Sequence, residues 1–216
     1  MDPAIIQKLA IYALPVIFAI TLHEAAHGYV ARRFGDSTAW MLGRVTLNPL
    51  KHIDPVGTVL VPAMLLLVSG GDLLFGWAKP VPVNFSALRN PKRDMLWVAA
   101  AGPGANLLMA LLWAFLFKLA VLTPDQPYAE AMKAMARAGI SINAVLMILN
   151  LLPLPPLDGG RIAVSLLPMR ASMTFARIEP YGIWILLLLL FTHVIDMVLY
   201  PLMGIFLLFI KTLFAL

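Results

Sequence analysis

The chain has 216 residues, of which 61% are hydrophobic and 12% charged, with no cysteine and a formal net charge of +5. A soluble domain carries about a quarter of its residues as Asp, Glu, Lys and Arg. This composition, with a mean hydropathy of +0.88, excludes a soluble globular protein and points to a single membrane-embedded unit over residues 1–216.

Without cysteine there are no disulfides and no thiolate metal sites. Lys and Arg are scattered and form no basic block, which argues against a nucleic-acid partner. Residues 4–31 form an apolar stretch long enough to cross a bilayer. It reads as a retained helix and not a signal peptide, because Lys8 is its only early basic residue and His23-Glu24 interrupt it. Residues 32–54 are polar and broken by Gly35, Gly43, Asn48 and Pro49. Residues 55–69 are apolar again, but a helix of that length reaches only about 22 Å, short of a full crossing. After Gly70-Gly71-Asp72, residues 76–84 alternate proline with valine, which predicts a short extended β segment. Residues 94–122 and 140–152 are further spans, the latter ending at Pro153, Pro155 and Pro156. Residues 180–216 predict a helical hairpin turning near residues 193–196. The expected fold is an all-α polytopic bundle of about five to six membrane segments. Its core covers residues 4–168, with a re-entrant loop at 55–94 containing the β segment.

Whether 55–69 crosses the membrane decides the side of every later loop. As a re-entrant loop it leaves Arg32, Arg33, Arg44, Lys51, Lys79, Arg89, Lys92, Arg93, Arg161, Arg170 and Arg177 on one side. Lys8, Lys118, Lys133 and Arg137 fall on the other. As a full span it divides them almost evenly. Basic residues collect on the cytoplasmic side, so the re-entrant topology is preferred, with the first span running from outside to inside. Irregular backbone at membrane depth must be buried in protein or line a water-filled cavity.

His23-Glu24-Ala25-Ala26-His27 is an HExxH sequence within the first apolar helix. Residues four apart share a helical face, so both imidazoles reach one ion, and Glu24 is placed to touch a metal-bound water without ligating. Ionisable residues in a membrane helix cost about 2.5–3.5 kcal/mol each on insertion scales, so this cluster argues for a function there. The plainer alternative is a His–Glu pair joining two helices. A catalytic zinc takes three protein ligands. His52 and His193 read as structural, interfacial histidines. Asp158, in Asn150-Leu151-Leu152-Pro153-Leu154-Pro155-Pro156-Leu157-Asp158-Gly159-Gly160, follows a proline break that could aim a carboxylate. Taken alone, that stretch reads as a surface loop with Asp158 as a helix N-cap.

HExxH in one span followed by NxxPxxxLDGG at the end of a later one resembles the site-2 protease family of intramembrane zinc metalloproteases. Residues 101–106, Ala-Gly-Pro-Gly-Ala-Asn, are similar to that family's glycine-rich motif, and residues 76–84 to its re-entrant β segment. The resemblance covers about residues 15–165. It implies that His23, His27 and Asp158 bind one Zn2+, that Glu24 is the general base, and that Asn150 contacts the substrate carbonyl or developing oxyanion. Asn106 would orient the site or the substrate backbone. Many members carry a PDZ domain after the middle span; here that loop, about residues 123–139, is too short for any domain.

The implied substrate is a transmembrane protein cut within or beside the bilayer. The implied location is the cell membrane, of a prokaryote by the compactness of the chain. Zinc would lie nearer the cytoplasmic face, since Arg32 and Arg33 follow closely after His27. Water would reach it through a polar cavity. A substrate helix must unwind before cleavage, and the segment bearing Trp77, Lys79, Val81 and Val83 offers an edge for strand pairing, which Val81→Pro and Val83→Pro would disturb. A transporter of divalent metal or protons and an inactive scaffold are the alternatives. No internal repeat supports the first, and the full set of catalytic residue types speaks against the second.

Overall fold

The computed structural model describes residues 3–68 and 76–216, so the Gly70-Gly71-Asp72 break lies outside the described residues. Helix α1 (Pro3–Arg33) ends in a Schellman turn. Gly35 adopts φ 113°; its N–H donates to Arg32 O (3.1 Å) and that of Asp36 to Ala31 O (3.0 Å). A side chain other than glycine's is strained at this angle. The turn delivers Asp36, fully buried, to accept the N–H groups of Thr38 (2.9 Å) and Asn84 (2.6 Å). The far end of the extended segment is thereby tied to α1.

After the short helix α2 (Thr38–Met41), the chain passes Gly43 and a capped single turn at Pro49–His52. Asp54 then caps the next helical piece, accepting from the N–H groups of Val56 (2.9 Å) and Gly57 (2.8 Å). That piece is a wide π-type turn, Pro55–Leu60, leading into α3 (Val61–Val68). Together they span about 21 Å at 1.5 Å per residue, less than a bilayer core. Residues 76–84, expected as a short β segment, carry no helix or strand, and no β-strand ladder forms among the described residues. Pro80 and Pro82 lack the donors a ladder needs.

Helix α4 (Pro91–Leu122) is the hub, packed on α1, on α5 (Ala129–Asn150) and on α6 (Asp158–Leu166). The contacts use small residues: Ala19, Ala31, Ala110, Ala114, Ala136 and Ala144 are all fully buried. A Cβ on Gly139 of α5 would overlap the Trp113 indole of α4. Such residues let backbones approach where lipid removes the hydrophobic drive between helices. Large apolar side chains such as Leu108, Leu112 and Phe115 face outward instead, as lipid contact requires.

The segment expected to span from 140 begins as a helix at Ala129. Residues 129–138 (AEAMKAMARA) are strong helix formers, so only residues 123–128 remain as a connection, shorter than the predicted 123–139 loop. Helix α7 (Met169–Ala176) and α8 (Glu179–Phe191) are bent by 63° and α9 (Asp196–Phe214) follows. A break separates α8 from α9 near the turn predicted for residues 193–196, where His193 adopts φ 58°.

By length and composition α4, α5 and α9 can each cross a membrane, and a fourth crossing results if α7 and α8 form one broken span. Helix α1, at 31 residues, extends about 46 Å. The protein is a multi-pass membrane protein. About five to six membrane segments were expected; among the described residues three or four are long and apolar enough to cross.

Candidate metal centre

His23 and His27 project from one face of α1, each 7% exposed. They lie against Gly102 of α4, where any Cβ would overlap both rings. The glycine in the AGPGAN stretch is thus space for two imidazoles, and no unusual backbone angle is involved.

Each ring has its Nδ1 engaged. His23 Nδ1 donates to Asn106 Oδ1 (2.6 Å) and His27 Nδ1 to the Val98 carbonyl (2.7 Å). The Val98 carbonyl can only accept, so His27 carries its proton on Nδ1; Asn106 spends its amide hydrogens on Ala19 O (3.1 Å) and Asn143 Oδ1 (2.9 Å), which leaves its oxygen to accept from His23. In the neutral rings both Nε2 atoms therefore present lone pairs to the same point.

Asp158 is the first residue of α6, following the N-cap position Leu157. It is not itself the N-cap. Gly159 and Gly160 sit within the helix, and a Cβ on either would strike the backbone of residues 151–155. Close approach, and not the conformational freedom the sequence suggests, explains the two glycines. A Cβ on Gly182 of α8 would likewise overlap the Pro155 carbonyl. Packed from both sides, the proline loop carries the carboxylate to the histidines. Asp158 Oδ2 lies 3.2 Å from His23 Nε2 and 3.3 Å from His27 Nε2, and the two Nε2 atoms are 3.1 Å apart.

Bonds of about 2.0–2.1 Å in a tetrahedral site hold ligand atoms about 3.3–3.4 Å apart. The triangle is nearly that size. Two imidazole lone pairs and a buried carboxylate oxygen without a hydrogen-bond partner repel one another unless a cation lies between them. The donor set fits Zn2+, and these three are the group able to hold a metal among the described residues.

Glu24 turns to a different side of α1, where its Oε2 accepts the Val81 N–H at 2.7 Å. The other amides on that edge of the extended segment are also taken: Trp77 N–H by Gly57 O (3.0 Å) and Lys79 N–H by His52 O (2.9 Å). Trp77 O accepts from the Thr58 hydroxyl, and Lys79 O from Arg44. Alternate residues of an extended chain face opposite ways. The opposite edge, that of Ala78, Pro80 and Pro82, has Ala78 as its N–H donor, and its Pro80 carbonyl accepts from Arg44 (3.3 Å). Val81→Pro would act on Glu24 and not on strand pairing.

Asn150, at the end of α5, donates to Leu146 O (2.9 Å) and retains a second amide hydrogen. His52 is buried and bonded to Thr46 O (3.1 Å), while His193 pairs with Asp196 (2.9 Å); both are structural, outside the triad. A cavity of about 390 Å³ adjoins the HExxH turn, lined by Leu22, Ala25, Ala26, Tyr29, Val45, Thr46, Leu47 and Ala105. It is mainly apolar and is not the polar water path anticipated from sequence.

Sequence reasoning missed Asn143. It is fully buried, holds Asn106 and donates to Gly139 O (2.8 Å). Its position seven residues before Asn150 on an apolar helix was a usable signal, since uncharged polar groups inside spans usually bond across helices. Asn106→Leu is expected to weaken zinc binding about 10–100-fold, the usual effect of losing a partner behind a histidine ligand. A competition titration against a chelator measures this.

The chain matches Peptidase family M50 over residues 119–193, a stretch that includes Asn150 and Asp158. It is 42% identical over 201 residues to "Putative zinc metalloprotease YwhC" of Bacillus subtilis, covering 88% of this chain and 84% of that protein. It is 32% identical over 181 residues to a protein of the same description, Rip2, from Mycolicibacterium smegmatis, covering 83% of this chain and 66% of the relative. For Rip2 of Mycobacterium tuberculosis the identity is 33% over 147 residues, covering 66% and 52%. No solved structure matches the chain.

Proposed function

This chain belongs to peptidase family M50, the site-2 protease family, and we propose that it hydrolyses peptide bonds of transmembrane proteins at a zinc ion held by His23, His27 and Asp158. The observation that carries this is the triangle of 3.1–3.3 Å formed by two Nε2 atoms and one carboxylate oxygen, one residue away from an acid that does not join it. Bound zinc supplies Lewis acidity, polarising the scissile carbonyl and lowering the pKa of a coordinated water to about 7.

Glu24 acts as the general base. Its Oε2 is occupied by the Val81 amide, which leaves Oε1 to take the proton of the attacking water and pass it to the departing amide nitrogen. Asn106 and the Val98 carbonyl hold the imidazoles in one tautomer. The second amide hydrogen of Asn150 is available to the oxyanion, a type of contact commonly worth about 3 kcal/mol.

The substrate strand pairs along the edge at Ala78 and Pro82, while the Pro80 carbonyl between them stays with Arg44. Trp77, Lys79, Val81 and Val83 position that edge and flank the bound strand. Ala78→Pro deletes the edge's donor and is expected to raise KM about fivefold, in keeping with one net hydrogen bond of about 1 kcal/mol, with zinc content unchanged.

The topology that suits this function places residues 55–94 as a re-entrant element in the cell membrane. The basic loops then lie in the cytoplasm and the zinc nearer that face. Reconstitution in lipid vesicles with single-span proteins tests the assignment. Cleavage that stops on zinc chelation and returns with zinc supports it. Zinc flux across the vesicle without cleavage of any single-span protein overturns it in favour of transport.

A further inference from the structure

Residues 79–81 join the extended segment to α1 through one peptide unit. The carbonyl of Pro80 accepts from an Arg44 guanidinium nitrogen at 3.3 Å, and the same nitrogen donates to Lys79 O at 2.9 Å. The N–H of that unit belongs to Val81 and points the other way, to Glu24 Oε2 at 2.7 Å. The Pro80–Val81 peptide is thus suspended between a cation on its oxygen and a carboxylate on its hydrogen. A guanidinium on the carbonyl polarises the amide and makes the N–H a better donor.

The surroundings fix the register. Pro80 and Pro82 have no N–H, so a slip of one residue would leave Glu24 facing a nitrogen that cannot donate. One turn after Glu24, a Cβ on Gly28 would come within 2.7 Å of Val45, 3.0 Å of Val81 and 3.3 Å of Ala39; the loop and the segment meet there against α1. Arg44 is itself held, its N–H donating to Ala39 O at 2.9 Å after the turn at Gly43, φ 62°.

Resting on the proteolytic function proposed above, we infer that Arg44 is a positioning residue, which orients the general base Glu24 through the Pro80–Val81 peptide. Glu24 has three rotatable side-chain bonds, and a fixed donor on Oε2 confines them. The carboxylate then needs no reorientation when the water arrives.

The test uses the full-length, zinc-loaded protein in detergent with a single-span substrate. Arg44→Ala is expected to lower kcat about 10-fold, a change equivalent to about 1.4 kcal/mol, with KM and zinc content close to wild type. Arg44→Lys should recover part of the loss, because an ammonium on a shorter side chain can still donate to the Pro80 carbonyl. Combining Arg44→Ala with Val81→Pro should be no worse than Val81→Pro alone, since both act through one peptide. Hydrogen exchange at the Val81 amide should quicken in Arg44→Ala and in Glu24→Ala. An unchanged kcat, a loss confined to KM or to zinc content, additive effects in the double variant, or unaltered exchange at Val81 each overturn the inference. A wild-type protein that cuts no single-span substrate counts against the protease function instead, and the exchange measurement still decides the role of Arg44.

Discussion

Glu24→Gln is expected to retain a full equivalent of zinc while peptide cleavage falls about 10²–10⁴-fold, the range a positioned acid–base group contributes. The retention follows from geometry: the proposed ligand atoms are His23 Nε2, His27 Nε2 and Asp158 Oδ2, and Glu24 is turned to Val81. Glutamine keeps the side chain's size and its carbonyl can still accept the Val81 N–H, so the extended segment stays in place. What it lacks is an oxygen basic enough to take a proton. Zinc analysis of the purified variant, paired with product formation over time, measures both quantities. Loss of zinc together with activity would make Glu24 a ligand and void the assigned role. A transporter would show altered flux in place of altered cleavage, and a scaffold would show no change.

Asp158→Ala should have the opposite signature, losing zinc and activity together. Removing the carboxylate leaves two neutral imidazoles, one ligand short of the three a catalytic zinc takes. Affinity should fall by more than the roughly 10–100-fold expected for the supporting Asn106. Stability provides a second readout. An ion that binds the folded state alone stabilises it by about 4 kcal/mol at a thousand times its Kd, so zinc should raise the wild-type Tm. The Tm of the variant should respond weakly or not at all. Asp158→Asn separates charge from size, since it preserves the side-chain volume beside the histidines. If both variants bound zinc as tightly as wild type, the third ligand would have to be sought elsewhere.

The helical membrane architecture was legible because its causes are local. Long apolar runs, prolines at their ends and a glycine at position 35 determine where α1 and α4 begin and stop within a few residues. The HExxH spacing is local too, being set by the pitch of one helix, and so His23 and His27 were readable as a pair. The start of α5 was misjudged for a related reason: residues 129–138 carry little hydrophobic signal but high helix propensity, and a search for apolar runs passes over them.

Local sequence alone therefore specified the class of protein, the course of its main helices and the candidate ligand pair His23 and His27. Asp158 was a candidate because a proline break could aim it, but only the pattern resemblance raised it above a helix cap, because nothing in residues 150–160 alone distinguishes the two. The tertiary structure decided the rest. It closes the triangle around Asp158, gives Gly102, Gly159 and Gly160 their common purpose as room for close neighbours, and sets Asn143 behind Asn106. It also turns the Val81 amide to Glu24. Apart from Gly159 and Gly160, which meet the nearby proline loop, each of these joins groups between 37 and 135 positions apart, as in Asn106 with Asn143 and His23 with Asp158. Contacts at such separations depend on how helices dock, and docking is governed by side-chain shape across several elements at once, a quantity that no local window of residues contains.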